Sequence, residues 1–179
     1  MKKVLIISTS LRAGSNSELL AKECERGAIA GGNEVEFVSL KGKDLKFCIG
    51  CFSCQKTGKC IYQDDVKEIL EKARNADVLI FSTPIYYYEM SGQMKVLLDR
   101  LNPLYNSEYN FREVYMIACA ADTEKNTFNK AYQGLQGWVD CFEKAELKGL
   151  LSTGGAENPK DVLLLDRVMK KAFDLGHDL

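Results

Sequence analysis

The chain has 179 residues, of which 46% are hydrophobic and 27% are charged, and its formal net charge is -1. These values are ordinary for a globular protein, and the near-neutral charge gives no sign of a nucleic-acid partner. No apolar run approaches the roughly 18 residues that a membrane helix needs, so we expect no membrane span. The length predicts a single domain over residues 1–179.

Strand and helix patterns alternate along the chain. Short apolar runs predict strands at Lys3–Ser8, Glu34–Leu40, Asp77–Thr83, Glu113–Ala120 and Glu146–Ser152. Apolar residues three and four apart predict helices at Asn16–Ala30, Asp64–Arg74, Ser91–Leu101 and Glu124–Ala145. Pro84 is expected to stop the third strand, and Pro159 to open a last helix, because proline is tolerated in a first helical turn.

This alternation predicts an α/β fold. Strands that alternate with helices form a parallel sheet covered on both faces, which is a three-layer sandwich. The right-handed crossover rule leaves few topologies, and we expect five parallel strands in the flavodoxin-like order 2-1-3-4-5. In that arrangement a ligand lies beyond the carboxyl ends of the strands, at the switch point between strands 1 and 3.

The loop after the first strand is rich in hydroxyl groups and leads directly into a helix. Its candidate ligand-binding residues are Ser8, Ser10, Arg12, Ser15, Asn16 and Ser17. Hydroxyls, backbone N–H groups and a helix N-terminus together form an anion site. The loop is neither a Walker A motif nor G-x-G-x-x-G. An ordinary helix cap in a serine-rich turn is the alternative interpretation.

Four cysteines lie close together after the second strand. Cys48, Cys51, Cys54 and Cys60 have the spacing C-x2-C-x2-C-x5-C. Thiolates are soft ligands that select iron–sulfur clusters, zinc or copper(I), and a bacterial ferredoxin run also begins C-x2-C-x2-C. The spacing therefore suggests a [4Fe–4S] cluster. Loop 48–60 would emerge at the same end of the sheet as the anion loop.

Other interpretations of these cysteines stay open. They include free thiols or a local disulfide, a zinc site, and a redox-active C-x-x-C pair, although zinc ligands usually form two separated pairs. Cys24, Cys119 and Cys141 lie inside predicted elements, so we expect them to be small core residues. Clustered cysteines without a disulfide framework predict a cytoplasmic protein.

Several motifs resemble the NADPH-dependent FMN reductase family. They are Ser10-x-Arg12-x-Gly14-x-Asn16-Ser17, Pro84-Ile85-Tyr86, and Gly92-Gln93-x-Lys95 with Asp99-Arg100. With the four cysteines followed by Asp64-Asp65, the chain most resembles the iron–sulfur flavoprotein branch of that family. The similarity covers nearly the whole chain, and it lies in the order and placement of the motifs.

The resemblance implies a bound FMN and names its contacts. Ser10, Arg12, Asn16 and Ser17 would hold the 5′-phosphate. The isoalloxazine ring would be lined by Pro84, Ile85, Tyr86 and Tyr87, and its other edge approached by Ala120, Ala121 and Asp122. Family members are oligomeric, so a homodimer or homotetramer is expected.

The implied function is electron transfer by an FMN-dependent oxidoreductase. NAD(P)H or a reduced, ferredoxin-like carrier would be the donor, and a quinone, small electrophile or dioxygen the acceptor. No catalytic side chain is predicted, because the chemistry belongs to the cofactor. Single electrons would enter or leave the protein through a [4Fe–4S] cluster. Two other classes stay open: a non-enzymatic flavodoxin-like electron carrier, and a thiol or metal redox sensor without flavin.

Overall fold

The computed structural model describes all 179 residues. Its strands are β1 (Lys3–Ser8), β2 (Glu34–Ser39), β3 (Val78–Tyr86), β4 (Glu89–Met90), β5 (Glu113–Cys119) and β6 (Glu146–Thr153). Its α-helices are α1 (Asn16–Ala30), α2 (Ser53–Thr57), α3 (Val66–Asn75), α4 (Gly92–Arg100), α5 (Asn129–Val139) and α6 (Asp166–His177). Short 3-10 turns cover Asn102–Leu104 and Asp161–Leu164. No helix has the length and apolar character needed to cross a membrane.

The sheet has the predicted topology. Its main strands lie in the order β2-β1-β3-β5-β6, and every pair along this path is parallel. This order is the predicted 2-1-3-4-5, with β5 and β6 as the fourth and fifth strands. The predicted flavodoxin-like α/β fold is therefore confirmed, and it brings the carboxyl ends of β1, β3 and β5 together.

Successive residues of the central strands face opposite layers. Leu5 and Ile7 of β1 belong to a large apolar cluster with residues of α3, α4 and α5. Val4 and Ile6 belong to a second cluster with residues of α1 and α6. Both faces of β1 are thus buried, which explains why its sequence is a continuous apolar run and not an alternating one.

One short strand was not predicted. β3 continues through Pro84 to Tyr86 and pairs antiparallel with β4, so the expectation that Pro84 stops the strand was wrong. Pro84 occupies the last register position opposite β5, where the ladder ends. Tyr87 and Tyr88 connect the two strands with φ angles of 52° and 68°, as in a type I′ turn. Such turns usually carry Asn-Gly, and the Tyr-Tyr pair is therefore no local signal for one.

Two helices begin more than one turn later than predicted, and one of them, α5, also ends earlier, at Val139 and not at Ala145. α5 begins at Asn129, not Glu124, because Asp122 accepts hydrogen bonds from the Glu124 N–H and the Thr127 hydroxyl and holds a loop there. α6 begins at Asp166, and Pro159 does not open it. Backbone N–H of Asn158 donates to the Asp161 carboxylate at 2.7 Å, in a turn that precedes the 3-10 segment.

Glycines allow α1 and α6 to pack closely. A Cβ on Gly176 would lie 2.0 Å from the carbonyl oxygen of Cys24 in α1. We expect Gly176→Ala to lower the free energy of unfolding by about 3 kcal/mol, because the two backbones must separate. Gly137 in α5 is the control, since a Cβ there meets nothing within 4 Å. Gly137→Ala should raise stability by about 0.5 kcal/mol. Urea unfolding measures the stability of both variants. Equal stabilities of Gly176→Ala and Gly137→Ala would contradict the close packing of α1 and α6.

Candidate functional site

A cavity of about 210 Å³ lies at the carboxyl ends of β1, β3 and β5. It gathers most of the predicted cofactor-binding residues: Ser10, Arg12, Ser15, Asn16, Ser17, Pro84, Ile85, Tyr86, Ala120 and Ala121. Cys119, Ala156 and Glu157 also line it. The cavity therefore occupies the switch point at which a flavodoxin-like sheet binds its ligand.

The N-terminus of α1 faces this cavity with free donors. The side chain of the N-cap residue Ser15 makes no capping bond, and its Oγ lies 3.0 Å from Oγ of Ser17. The first helical bond runs from the Leu19 N–H to the Ser15 carbonyl, so the preceding N–H groups have no intrahelical partner. Uncapped N–H groups and buried hydroxyls suit a phosphate group.

Asn16 and Arg12 hold a distant segment against the cavity. Nδ2 of Asn16 donates to the carbonyls of Ala156 and Asn158, at 3.1 and 2.8 Å, and its Oδ1 accepts the N–H of Val162. Nη1 of Arg12 donates to the Glu157 carbonyl at 2.8 Å. Both predicted phosphate ligands therefore also fix the 156–162 segment. The sequence did not reveal this segment, which lies some 140 residues farther along the chain.

Three predicted cofactor residues lie outside the cavity. Ser8 is fully buried at the end of β1, and its Oγ has no partner. Tyr87 is 98% exposed at the tip of the β3–β4 turn. Asp122 is engaged within its own loop, where hydrogen bonds from the Glu124 N–H and the Thr127 hydroxyl lower its pKa.

The turn formed by Tyr87 and Tyr88 lies beside α5. Lys130 of that helix is 5.8 Å from the Tyr88 ring centroid. Two consecutive non-glycine residues at positive φ carry backbone strain, which the surrounding contacts must offset. These contacts place Tyr86, just before the turn, on the cavity wall.

A second, more apolar cavity of about 530 Å³ adjoins the first. It shares Tyr86 with the first cavity, and Phe47 brings it to the start of the cysteine loop. Its other lining residues are Leu11, Leu40, Gly42, Lys43, Leu45, Gly92, Gln93 and Val96. This apolar cavity therefore lies between the predicted cofactor site and the cysteines.

The four loop cysteines line one small cavity of about 30 Å³, and all seven cysteines of the chain are free. Cys48 and Cys51 are exposed, while Cys54 and Cys60 are half-buried. No three metal-binding side chains converge on a common point in this conformation. Four thiols around one cavity are nevertheless the donor set of an iron–sulfur cluster. Cys48, Cys51, Cys54 and Cys60 would hold such a cluster.

The remaining cysteines differ from one another. Burial raises the pKa of the Cys24 and Cys119 thiols to about 12, which agrees with core positions. Cys119 also lines the cofactor cavity. Cys141 is exposed, so its predicted core position was wrong, because α5 ends at Val139.

A buried ion pair anchors both ends of the cysteine loop. The side chains of Arg100 in α4 and of Asp64 are 1% and 2% exposed, and their shortest contact is 2.6 Å. Arg100 also donates to the carbonyl of Lys46, and Asp64 accepts the N–H of Lys46. Lys46 precedes the first cysteine and Asp64 follows the last. The amide of Asn102 donates to Sγ of Cys54 at 3.1 Å, which adds an anchor in the middle.

The sequence model of the NADPH-dependent FMN reductase family matches residues 2–136. The chain belongs to this family. An iron–sulfur flavoprotein of Methanocaldococcus jannaschii is 45% identical over 102 residues, which are 57% of this chain and 53% of that protein. One from Archaeoglobus fulgidus is 34% identical over 58% of this chain and 46% of its own length. The chain spans about half the length of these curated relatives, whose names support the predicted branch.

Solved structures show the fold that this FMN reductase family member shares. The NAD(P)H:quinone oxidoreductase from Methanothermobacter marburgensis has a TM-score of 0.73 and 17% identity, over 99% of this chain and 98% of its own. An azoreductase from Bacillus anthracis has a TM-score of 0.76 and 12% identity over the full length of both chains. At these identities the likeness establishes the common fold.

The Asp64–Arg100 pair predicts acid sensitivity for this family member. Burial alone would raise the pKa of Asp64, but hydrogen bonds from Arg100 and the Lys46 N–H hold it below its ordinary value. Its stabilising effect is therefore full above about pH 4 and is lost as the pH falls through the lowered pKa. We expect Asp64→Asn to lower the free energy of unfolding by about 3 kcal/mol at pH 7.

This loss should shrink as the pH is lowered toward 2, where Asp64 of the unaltered chain is itself protonated. Denaturant unfolding across this pH range measures it. Asp99→Asn is the control, because Asp99 forms an exposed pair with Lys95 on the same helix. That variant should change stability by less than about 0.5 kcal/mol. A pH-independent loss in Asp64→Asn would contradict the assignment.

Proposed function

We propose that this chain binds FMN and transfers electrons from NAD(P)H to a quinone or another small electrophile. The observation that carries the proposal is the uncapped N-terminus of α1, which opens into a cavity with buried hydroxyls at one end and Pro84–Tyr86 at the other. Phosphate donors beside an apolar wall match the two halves of FMN. The whole of residues 1–179 would serve as one FMN-binding domain.

Each part of the cavity has its own task. The hydroxyls of Ser10, Ser15 and Ser17 and the free N–H groups would bind the phosphate, and the Arg12 charge would balance it. Pro84 and Ile85 would pack on the ring and exclude water from it. Bound FMN supplies the redox chemistry, because its ring accepts a hydride and passes on one or two electrons.

The adjoining apolar cavity is the proposed acceptor site. It shares Tyr86 with the cofactor cavity, so a planar acceptor there would lie beside the flavin. Its apolar lining favours an uncharged aromatic compound such as a quinone. NAD(P)H would give up a hydride, and the quinone would leave as hydroquinone after taking up two electrons and two protons. No side chain is assigned a proton-transfer role.

The cysteine loop is the proposed site of a [4Fe–4S] cluster held by Cys48, Cys51, Cys54 and Cys60. Two features support it: the donor set around one cavity, and the names of the iron–sulfur flavoproteins to which the chain is similar. The cluster would exchange single electrons with a ferredoxin-like protein, and the chain would work as a homo-oligomer. The apolar residues Phe47, Ile49 and Phe52 are exposed on this loop and suit a protein contact.

Anaerobic purification followed by cofactor and kinetic analysis tests this proposal. About one FMN, four iron and four sulfide per chain, with NAD(P)H oxidation that depends on added quinone, are expected. FMN without quinone-dependent oxidation, but with reduction by a ferredoxin-like donor, would identify an electron carrier instead. A colourless protein without FMN would refute the proposal.

A further inference from the structure

The buried guanidinium of Arg100 does not use all of its hydrogen-bond donors. Nη1 donates to Oδ2 of Asp64 at 2.6 Å and to the Lys46 carbonyl at 2.7 Å, and Nη2 donates to Oδ1 of Asp64 at 2.9 Å. An arginine has five N–H donors in a planar fork. Nε is buried and has no partner. The edge formed by Nε and the second N–H of Nη2 is therefore free.

The neighbour of this free edge is a cysteine. Cys60 and Arg100 together line the cavity of the four cysteines and also the adjoining cavity beside Val66 and Leu70. The Tyr62 ring covers the guanidinium, with its centroid 4.9 Å from Cζ, and limits access by water. A buried N–H of a charged group is costly when it is left unpaired. A cysteine sulfur that carries negative charge would remove that cost.

We propose that Arg100 donates N–H from this free edge to the sulfur of Cys60 and so stabilises negative charge on the cysteine loop. The inference rests on the proposed cluster. Net charge and hydrogen bonds to the sulfurs set the reduction potential of an iron–sulfur cluster. The added electron increases the negative charge, so the arginine favours the reduced state. Arg100 is thus a positioning residue that also raises the reduction potential of the cluster.

Two variants separate this electrostatic effect from a structural one. Asp64→Asn removes the counter-charge of Arg100, and the double variant Asp64→Asn with Arg100→Gln then removes the guanidinium as well. Both lack the same carboxylate, so their difference reports on Arg100 alone. Arg26→Gln is the control, because Arg26 also pairs with a carboxylate and covers an aromatic ring, but at an exposed position of α1.

The measurement is the reduction potential of the cluster, by anaerobic spectroelectrochemistry on chains with the full iron content. We expect Asp64→Asn to raise the potential above that of the unaltered chain and the double variant to lower it below. The reduction equilibrium should differ at least tenfold between the two variants, or about 59 mV for one electron. Arg26→Gln should leave the potential unchanged.

Equal potentials in the two variants would overturn the inference while leaving the cluster itself established. If the double variant loses its iron, Arg100→Lys provides the comparison, because it keeps the charge and lacks Nε. A potential in Arg100→Lys equal to that of the unaltered chain would likewise overturn the inference, and a lower one would support it. Absence of iron from the unaltered chain would refute the proposed cluster and the inference together.

Discussion

Replacement of Cys54 by alanine is expected to remove the iron from the protein and leave FMN in place. Cys54 is half-buried between the other cysteines of the loop and receives a hydrogen bond from Asn102. It would be an inner ligand, and a cluster with one ligand missing exchanges its iron readily. Iron per chain, measured after anaerobic purification, should fall at least tenfold from about four.

Cys141→Ala is the matched control for this prediction. Cys141 is a free cysteine that is exposed beyond the end of α5, outside the cysteine loop. Its replacement should leave both iron and FMN unchanged. An iron content that fell equally in both variants, or that survived in Cys54→Ala, would show that the loop does not hold the cluster.

Replacement of Ser15 by aspartate is expected to weaken FMN binding about 100-fold, or ~2.8 kcal/mol. Ser15 is the N-cap residue of α1, is 4% exposed and lines the cofactor cavity. A carboxylate there would cap the free N–H groups and repel the phosphate. Aspartate is also a favoured N-cap, and its charge complements the helix dipole. The FMN-free variant should therefore unfold at the same temperature or a higher one.

Ser15→Asn is the control, because asparagine caps the helix without adding charge. It should weaken FMN binding much less than aspartate does. Riboflavin, which lacks the phosphate, should bind the aspartate variant and the unaltered chain with similar affinity. Fluorescence titration measures all of these affinities. A large loss of riboflavin binding in Ser15→Asp would point to a distorted cavity and not to charge repulsion.

The fold was predictable because its central strands are buried on both faces. The runs Val4–Ile7 and Val78–Phe81 are continuously apolar, and such runs between helical patterns indicate a parallel sheet. The carboxyl ends of the strands then indicated where a cavity would lie, and the structure brings most predicted residues of the β1–α1 loop to its wall, together with Ala120 and Ala121. That these residues bind a cofactor stays a prediction. The hydrophobic pattern of a single strand or helix was enough to predict where that element lies in the fold.

Features that depend on distant contacts were not predicted. The 156–162 segment is held at the cavity by residues far away in the sequence, through the side chains of Asn16 and Arg12 and through backbone hydrogen bonds to Ala120 and Gly14. The Tyr87–Tyr88 turn has no glycine or asparagine to mark its positive φ angles, and tertiary contacts stabilise it. The Asp64–Arg100 pair joins residues 36 apart in sequence, and the two residues belong to separate motifs with no local signal that they pair.

The most direct test of the account is a comparison of FMN and riboflavin binding to the flavin-free chain by calorimetry. The free N–H groups and buried hydroxyls at the start of α1 are assigned to the phosphate, which is the part that riboflavin lacks. We expect one FMN per chain and an affinity for riboflavin at least 100-fold weaker, ~2.8 kcal/mol. Equal affinities for the two flavins would contradict a phosphate site at the N-terminus of α1.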